Sequence, residues 1–317
     1  MNIAQSRGAA LRASDVLAPL GDRVVRGGSI GARSTYRVGG SAELVVTVGS
    51  AGDLALLVEA VEASGLPTLV IGRGSNMLVA ERGFEGIAVL LDASAFGLVA
   101  VEGSRVCAGA AVALPALARR SVEAGLTGLE WAVGVPGSVG GAVRMNAGGH
   151  GSEISQTLES VTILDLRGPQ AGQTREVHAD QLALSYRSSA LTDCQLVTGA
   201  RFGLGPGDPG NGRGVIAGIV RWRRENQPGG QNAGSVFKNP PGDSAGRLID
   251  LAGLKGLRVG TATVSVKHAN FIQADEGGSA DDVAALIALV QRRVRERFSI
   301  DLHPEVKMIG FVPERPS

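Results

Sequence analysis

The chain has 317 residues, of which 44% are hydrophobic and 19% charged, and its formal net charge is +1 at pH 7. These values predict a soluble globular protein of more than one domain, and they exclude the strong charge excess typical of proteins that bind nucleic acid or anionic membranes. No apolar run reaches the roughly 20 residues that span a bilayer, and residues 1–28 lack a signal-peptide pattern, so we predict a cytoplasmic protein.

The cysteine, histidine and glycine content narrows the function classes further. Cys107 and Cys194 are too few for a disulfide framework, which leaves a single structural bridge or, as a reducing compartment favours, two unpaired buried thiols. The histidines stand singly without metal-ligand spacing, so no metal site is predicted. The 47 glycines predict close backbone approaches, as in sites that hold a ligand through main-chain amides.

The first part of the chain predicts an α/β unit. Residues 1–28 have a weak pattern and are interpreted as an irregular or partly helical N-terminal extension. A helix is predicted over 50–65, with Ser50 as its N-cap, Asp53 in its first turn and Gly65 at its end. Strands are predicted over residues 43–48, 67–72 and 86–92.

The next stretch has more strands than helices, which predicts a strand-rich α+β unit. Two short strands form a hairpin around Gly103 and Ser104, and a helix over 113–125 follows with apolar residues at helical spacing. Further strands are predicted over residues 158–165, 174–179 and 195–202.

A Gly/Pro-rich run over residues 203–214 is interpreted as a flexible linker and as the main domain boundary. Its glycines fit a dinucleotide-binding G-x-G-x-x-G pattern, but two prolines inside that pattern remove amides that a pyrophosphate needs. Helices are predicted over 215–226 and from Ser279 onward, followed by a strand over 304–310. The predicted divisions of the chain are residues 1–28, 29–92, 93–203 and 204–317.

Two glycine-rich segments are candidate ligand sites. In "IGRGSNMLV" (71–79) a strand ends in a turn that could direct backbone amides at phosphate oxygens, although a plain connection has a similar composition. In "GVPGSVGGAVRMNAGGHG" (134–151) the density of small residues favours a backbone pressed against a ligand over an ordinary loop. Together they suggest one extended cofactor between the two segments.

Polar residues of the second half are harder to interpret from composition. Ser235 in "NAGSVFKNP" follows a glycine as a nucleophile would, yet no histidine lies nearby in sequence and the pattern is not the G-x-S-x-G of hydrolases. Taken alone, Arg187 is typical of a salt-bridge residue and Glu305 of a surface acid.

Several longer motifs occur in order from about residue 29 to 310, and together they carry a resemblance. They are "STYRVGG", "GRGSNMLV", "GLEWAVGVPGSVGGAVRMNAGG", "SYRSS", "AGSVFKNP", "KHANFI" and "PEVKMIG". The chain resembles the UDP-N-acetylenolpyruvoylglucosamine reductase family, in its shorter subtype. The resemblance implies an α+β fold, with a two-part FAD-binding module of the vanillyl-alcohol-oxidase type over 29–203 and an α+β substrate-binding domain over 204–317.

The resemblance also implies which residues contact the cofactor. They are Tyr36, Arg37, Gly72, Arg73, Gly74, Ser75, Asn76, Met77, Gly134, Pro136, Gly137, Ser138, Gly140, Gly141, Asn146, Ala147 and Gly148. Some oxidases that share this fold attach flavin through a histidine in the first glycine loop. Since this loop has no histidine, FAD is expected to bind noncovalently.

The chemistry implied is NADPH-dependent reduction of UDP-N-acetyl-3-O-(1-carboxyvinyl)glucosamine in peptidoglycan precursor synthesis. Arg187 would stabilise charge on the substrate carboxylate, and Glu305, if protonated, would donate a hydrogen bond to the same oxygens. Ser235 would donate a proton to carbon. The residues implied in substrate binding are Tyr186, Lys238, Asn239, Asn270 and Lys307. A monomer acting on a small nucleotide sugar, without nucleic-acid or membrane partners, is expected.

Two alternatives stay open at the level of sequence. One is an FAD-dependent oxidase of the same fold, which the residues around Arg187, Ser235 and Glu305 and the missing histidine disfavour. The other is a nonenzymatic nucleotide-sugar sensor, against which the presence of all three residues argues.

Overall fold

The computed structural model describes residues 3–311, and these residues form the α+β mixture that the sequence predicted. The α-helices are α1 (Ile3–Leu17), α2 (Ala51–Ser64), α3 (Ala93–Phe96), α4 (Leu114–Glu123), α5 (Val139–Arg144), α6 (Pro209–Asn226), α7 (Ala245–Leu251) and α8 (Ala280–Phe298). The strands are β1 (Val24–Arg26), β2 (Ala42–Val48), β3 (Thr68–Ile71), β4 (Met77–Val79), β5 (Phe84–Leu91), β6 (Val99–Glu102), β7 (Arg105–Gly109), β8 (Leu126–Thr127), β9 (Gly148–Gly149), β10 (Ser152–Glu153), β11 (Leu158–Asp165), β12 (Thr174–His178), β13 (Gln195–Gly203), β14 (Gly205–Pro206), β15 (Arg258–Val259), β16 (Ala262–Val264), β17 (Ile272–Ala274) and β18 (Lys307–Ile309).

The chain divides into two compact units whose segments alternate along the sequence. Within the described residues, unit 1 comprises 3–27, Glu43–Arg73 and Glu85–Arg223, and unit 2 comprises Gly28–Ala42, Gly74–Phe84 and 224–311. This division differs from the predicted one, which assigned two short early segments to the first module. Those segments belong to unit 2 because β4 pairs in parallel with β18 and because Tyr36, Val38 and Leu78 pack in the core of unit 2.

The first part of unit 1 is a four-stranded sheet in the order β1-β2-β5-β3, and α1 and α2 contribute to its core. Helix α2 begins and ends as predicted. The Ser50 hydroxyl accepts a hydrogen bond from the Asp53 amide at 3.1 Å, and Gly65 has the left-handed φ of 67° that ends many helices.

Residues 9–26 pack and pair within unit 1 rather than forming a separate extension, and the helix that the prediction allowed there is α1. Ala9, Ala13 and Leu17 of α1 are buried in the same core as α2, and β1 pairs antiparallel with β2. The inner face of α1 is largely alanine, and alanine carries a weak hydrophobic signal although it permits close helix packing.

The second part of unit 1 is an antiparallel five-stranded sheet in the order β12-β11-β13-β7-β6. The predicted hairpin is present, with β6 and β7 joined through Gly103 at a φ of 62°. Helices α4 and α5 share the core of this sheet, with Phe202 and Trp131 among its buried residues. Unit 1 therefore has two adjoining sheets with separate cores.

Residues 203–214, predicted as a flexible linker, instead contain the end of β13, the short strand β14 and the beginning of α6, so this prediction was wrong. Asp208 accepts hydrogen bonds from the amides of Asn211 and Gly212, and Pro209 occupies the first helical position, where proline is well tolerated. Gly212 is buried because it packs against Val122 of α4. Gly210, Gly212 and Gly214 therefore lie in a helix, and Gly212 is the position that packs against α4.

Unit 2 has a three-stranded antiparallel sheet in the order β15-β16-β17, together with α7, α8 and the parallel pair β4–β18. Helix α8 begins as predicted, with the Ser279 hydroxyl accepting a hydrogen bond from Asp281 at 3.1 Å. Its predicted apolar stripe faces the core. The buried members are Val283, Leu286, Ile287, Val290 and Val294, and Phe298 is partly buried beside them.

Three further features of residues 3–311 concern membrane spans, metal sites and cysteines. No helix there combines the length and apolar character needed to cross a membrane. No cluster of three or more His, Cys, Asp or Glu side chains suited to a metal ion occurs in the same range. Cys107 and Cys194 are both free thiols, and both are half-buried.

Candidate active site

The two glycine-rich segments predicted as ligand sites meet within unit 1. Gly72, at the end of β3, is exposed and lies so close to Ser138 that a Cβ atom at Gly72 would collide with the Ser138 hydroxyl. Arg73 beside it is also exposed. The absence of a side chain at Gly72 thus permits the contact between the two segments.

The second segment lies flat against the edge of the five-stranded sheet. The Gly140 amide donates to the Ala110 carbonyl at 2.9 Å, and a Cβ atom at Gly140 would lie 3.0 Å from the Ala110 Cβ. Pro136 and Gly141 are exposed, whereas Ser138 is 3% exposed. Glycine at 140 therefore allows the backbone to press on the sheet while parts of the same turn face solvent.

Arg187 lies in a tight turn of unit 1 that backbone hydrogen bonds close. Ser185 and Ser188 exchange two backbone hydrogen bonds of 3.1 and 3.0 Å, and Arg187 has a left-handed φ of 54°. Its Nη2 donates to the Gly148 carbonyl at 2.9 Å, and its guanidinium carbon lies 5.0 Å from the centre of the Tyr186 ring. This predicted residue is therefore attached to the glycine-rich segment itself.

The Asn146 side chain also binds the turn that contains Arg187. Its Nδ2 donates to the Ser185 carbonyl at 3.0 Å, and its Oδ1 accepts from the Ser155 amide at 3.0 Å. The whole residue is 0% exposed. Asn146 consequently has no surface for a cofactor, and its predicted contact is replaced by a role in holding the backbone.

In unit 2, the remainder of the first glycine-rich segment is equally constrained. Gly74 has a φ of 63°, and a Cβ atom there would collide with the Arg33 carbonyl. The Thr35 amide donates to the Gly74 carbonyl at 3.0 Å. Gly74 is buried and Ser75 half-buried. The Thr35–Gly74 hydrogen bond makes "STYRVGG" adjacent to the "GSNM" part of the first glycine-rich segment in unit 2.

Tyr36 lies in the interior of unit 2, although the family resemblance had predicted a contact with the cofactor. It is 0% exposed and packs with the core of this unit, and burial raises the pKa of its hydroxyl. That hydroxyl lies near the Ala233 backbone but without the geometry of a hydrogen bond. The neighbouring Arg37 is exposed, with a left-handed φ of 54°, so only Arg37 of this pair offers a surface to a ligand.

The backbone of unit 2 brings Ser235 and Glu305 into neighbouring segments. The Glu305 amide donates to the Val236 carbonyl at 2.7 Å, and the Lys238 amide donates to the His303 carbonyl at 2.9 Å. Asn76 Nδ2 donates to the Glu305 carbonyl at 3.2 Å. Ser235 and Glu305 are both half-buried, so two of the predicted catalytic residues share one hydrogen-bonded framework.

The residues implied in substrate binding occupy different environments. Asn239 is exposed and its Oδ1 accepts from the Ala245 amide at 3.1 Å, at the start of α7. Lys307 is exposed on β18, whereas Lys238 is half-buried. Asn270 is 4% exposed, and both its carbonyl oxygen and its amide nitrogen bind the Phe237 backbone.

Supporting residues were missed by the sequence prediction. Ser185 and Ser188 close the turn around Arg187, and the Ser189 hydroxyl donates to the Arg144 carbonyl at 2.7 Å. The run of serines in "SYRSS" was a signal for such a turn, because serine side chains readily bind nearby backbone. The His303 carbonyl accepts a hydrogen bond from the Lys238 amide, and no feature of the sequence indicates this backbone contact.

Comparison with known proteins agrees with this geometry. A family model described as the C-terminal domain of UDP-N-acetylenolpyruvoylglucosamine reductase matches residues 226–309, and one described as an FAD binding domain matches residues 42–170. The UDP-N-acetylenolpyruvoylglucosamine reductase of a Synechococcus species is 43% identical over 88% of this chain and 90% of its own length. The one from Rubrobacter xylanophilus is 40% identical over 87% of this chain and 92% of its own.

A solved structure shows the same relationship. The crystal structure of UDP-N-acetylenolpyruvylglucosamine reductase from Thermus caldophilus is similar with a TM-score of 0.77 at 36% identity, and the match covers 90% of this chain and 98% of that one. High identity over most of both lengths confirms the family, the two-part FAD-binding fold and the oxidoreductase class that the motifs predicted. The chain belongs to the UDP-N-acetylenolpyruvoylglucosamine reductase family of FAD-dependent enzymes in peptidoglycan synthesis.

Proposed function

We propose that this enzyme uses NADPH to reduce the enolpyruvyl ether of its UDP-sugar substrate and that Ser235 supplies the proton. The observation that carries the proposal is the hydrogen bond from the Glu305 amide to the Val236 carbonyl, 2.7 Å long. This bond holds the segment that contains the Glu305 carboxyl group beside the segment that contains the Ser235 hydroxyl group. These are the two side chains expected at the substrate carboxylate and at the carbon that is protonated.

The residues present fit noncovalent FAD. Gly72 and Gly141 are exposed glycines, one in each glycine-rich segment, so the backbone at both positions is open to a ligand. Backbone without side chains can approach a flat ring system or a pyrophosphate closely. We assign FAD contact to the exposed Gly72, Arg73, Pro136 and Gly141 and to their half-buried neighbours, and we omit Tyr36 and Asn146.

The charge requirements of the reaction explain the choice of polar residues. FAD, when bound, supplies the relay that carries a hydride from NADPH to the terminal alkene carbon of the substrate. Addition at that carbon moves negative charge onto the carboxylate, where a permanent guanidinium such as Arg187 stabilises it. Glu305, when protonated, donates a hydrogen bond to the same carboxylate.

The adjacent carbon then takes a proton from the Ser235 hydroxyl, and solvent restores that proton. The alkene becomes a saturated ether, NADPH becomes NADP⁺, and one proton is consumed. A hydroxyl is a weak acid, so this step needs a strongly basic carbon as acceptor. It needs no histidine to activate the serine, which agrees with the absence of one near Ser235 in the sequence.

The diphosphate and sugar of the substrate require donors that solvent can reach. Lys238, Asn239 and Lys307 retain exposed surface, and Tyr186 is 48% exposed beside Arg187. We assign these four residues to substrate binding. The monomeric state, the cytoplasmic location and the absence of nucleic-acid and membrane partners stay predictions from the sequence.

The overall reaction is tested by the visible spectrum of the FAD-loaded protein without oxygen. We expect NADPH to bleach the flavin absorbance and the enolpyruvyl substrate to restore it. Restoration by oxygen alone, with no response to the substrate, would contradict the reductase and favour an oxidase. A protein that binds the UDP-sugar but never takes electrons from NADPH would favour a sensor.

The proton donor is tested by Ser235→Ala in the two half-reactions. Flavin reduction by NADPH should stay close to the wild-type rate, because it needs no proton from this hydroxyl. Flavin reoxidation by the enolpyruvyl substrate should slow by about 10²- to 10⁴-fold, as for loss of a general acid. Ser104→Ala, at an exposed serine of unit 1, is the matched control, and equal loss in both half-reactions would indicate a structural role for Ser235.

A further inference from the structure

Asn270 is bound to the segment that follows Ser235 by two hydrogen bonds of its side chain. Its Oδ1 accepts from the Phe237 amide at 2.9 Å, and its Nδ2 donates to the Phe237 carbonyl at 2.8 Å. Its own carbonyl accepts from the Val236 amide at 2.8 Å. Asn270 thus satisfies the backbone of both residues next in sequence after Ser235.

The location of this contact argues against a direct role in substrate binding. Asn270 is 4% exposed, and the two residues it holds, Val236 and Phe237, are 0% and 2% exposed. The resemblance placed Asn270 among the substrate contacts, but its side chain points its donor and its acceptor at the protein backbone. A substrate would reach little of its surface.

The same segment is held from its other side by Glu305. The Val236 carbonyl accepts from the Glu305 amide at 2.7 Å, and Phe237 pairs as an isolated bridge with Pro304. Residues 235–238 therefore lie between the Asn270 segment and the Glu305 segment. Ser235 follows Gly234, whose φ of 75° is left-handed, and is joined directly to Val236. The contacts that fix Val236 therefore also restrict where Ser235 can lie.

We propose that Asn270 is a positioning residue that fixes the Ser235 hydroxyl for proton transfer, an inference that rests on the proposed role of Ser235. A buried side-chain amide can pair with both polar groups of one peptide residue, and no other common side chain of this size offers both a donor and an acceptor in that arrangement. Proton transfer depends steeply on placement, and a displacement of about 1 Å can lower a rate by 10²-fold.

The test is Asn270→Asp, measured in the FAD-loaded full-length enzyme by rapid mixing. The aspartate still accepts from the Phe237 amide but cannot, when ionised, donate to the Phe237 carbonyl. We expect the limiting rate of flavin reoxidation by the enolpyruvyl substrate to fall by about 10- to 100-fold. The dissociation constant of the substrate and the rate of flavin reduction by NADPH should stay unchanged, and Asn211→Asp at an exposed asparagine of α6 serves as the control.

The double variant Ser235→Ala/Asn270→Asp separates this inference from the proposed function. If Asn270 acts through Ser235, the double variant should be no slower than Ser235→Ala alone, because effects through one group are not additive. A weaker substrate affinity with an unchanged limiting rate, or additive losses in the double variant, would overturn the positioning role. If Ser235→Ala leaves reoxidation intact, the failure lies with the proposed proton donor instead.

A second substitution covers poor folding of the aspartate variant. Asn270→Ser is smaller and neutral, and it removes the paired hydrogen bonds without placing a charge in the core. It should show the same loss in reoxidation with NADPH reduction retained. Parallel losses in FAD content and in both half-reactions for both variants would show that Asn270 only stabilises unit 2, and would also overturn the proposal.

Discussion

Residues 134–151 and residues 203–214 of unit 1, which are called the first and second segments in this comparison, have similar compositions but different structures. In the first, a Cβ atom at Gly140 would lie 3.0 Å from the Ala110 Cβ, and one at Gly148 would lie 2.6 Å from the Ser152 carbonyl oxygen. In the second, Gly214 lies in α6 with nothing within 4 Å of such an atom. Glycine is required by close contacts at Gly140 and Gly148 in the first segment and is only tolerated at Gly214 in the second.

The largest effect is expected for Gly148→Ala, in the first segment. The added methyl group would collide with the Ser152 carbonyl across the β9–β10 pair and displace the Gly148 carbonyl that binds Arg187. Because Arg187 is assigned to the substrate carboxylate, reoxidation of reduced flavin by the substrate should slow by about 10²-fold.

The matched control is Gly149→Ala, since a Cβ atom there would lie at an ordinary 3.9 Å from Val135. It should keep near wild-type reoxidation. Equal rates for the two variants, measured at full FAD occupancy, would contradict the importance of the Gly148 contact.

A smaller effect is expected for Gly212→Ala, the buried glycine of α6. A Cβ atom there would lie 2.6 Å from Cγ1 of Val122, so the two helices must separate or a side chain must move. Overpacking of this kind costs about 1–3 kcal/mol, reduced by the roughly 1 kcal/mol gain in helix propensity. The midpoint of urea unfolding should fall with an unchanged slope, and an increased midpoint would show that α4 and α6 adjust freely.

The opposite sign is expected for Gly214→Ala, two residues further along α6. This position is exposed and has open space where the methyl group would lie. Alanine should therefore stabilise the protein against urea by about 0.5–1 kcal/mol through helix propensity. If Gly214→Ala destabilised the protein as Gly212→Ala should, the loss of stability would come from alanine in the helix and not from a collision with Val122.

Local signals in the sequence predicted much of the fold. The N-caps Ser50 and Ser279 and the terminating Gly65 were identified because capping depends on a few consecutive residues. The beginning of α6 was missed because the packing of Gly212 depends on a distant residue, Val122. The burial of α1 was missed because an alanine face has little hydrophobic contrast.

The candidate site shows the same limit. Residue types and order predict roles for Arg187, Ser235 and Glu305 only through the family resemblance, and these roles stay predictions. They were insufficient to distinguish a ligand contact from a backbone contact at Asn146 and Asn270, because both side chains bind peptide groups far away in sequence. Burial is a tertiary property, so a polar residue in a glycine-rich motif indicates a site without specifying which partner it binds.

The smallest effect is expected for His150, which belongs to residues 134–151 and contacts α6. Its ring lies edge-on to Trp222 of α6, with centroids 5.1 Å apart. Burial, and then the positive charge of Arg223, lower the pKa of His150. Below about pH 6.5 the unfolded chain takes up a proton that the folded protein still excludes, so unfolding becomes easier as pH falls towards the lower folded pKa.

His150→Gln should flatten this part of the pH dependence. Because His150 is exposed on one side, solvent screening keeps its share well below the maximum of about 1.4 kcal/mol per pH unit for one proton. His268, whose pKa burial also lowers, remains in both proteins and leaves a residual slope. Urea unfolding between about pH 7 and pH 5 provides the comparison. Identical slopes would show that the contact between the first segment and α6 does not depend on the charge of His150.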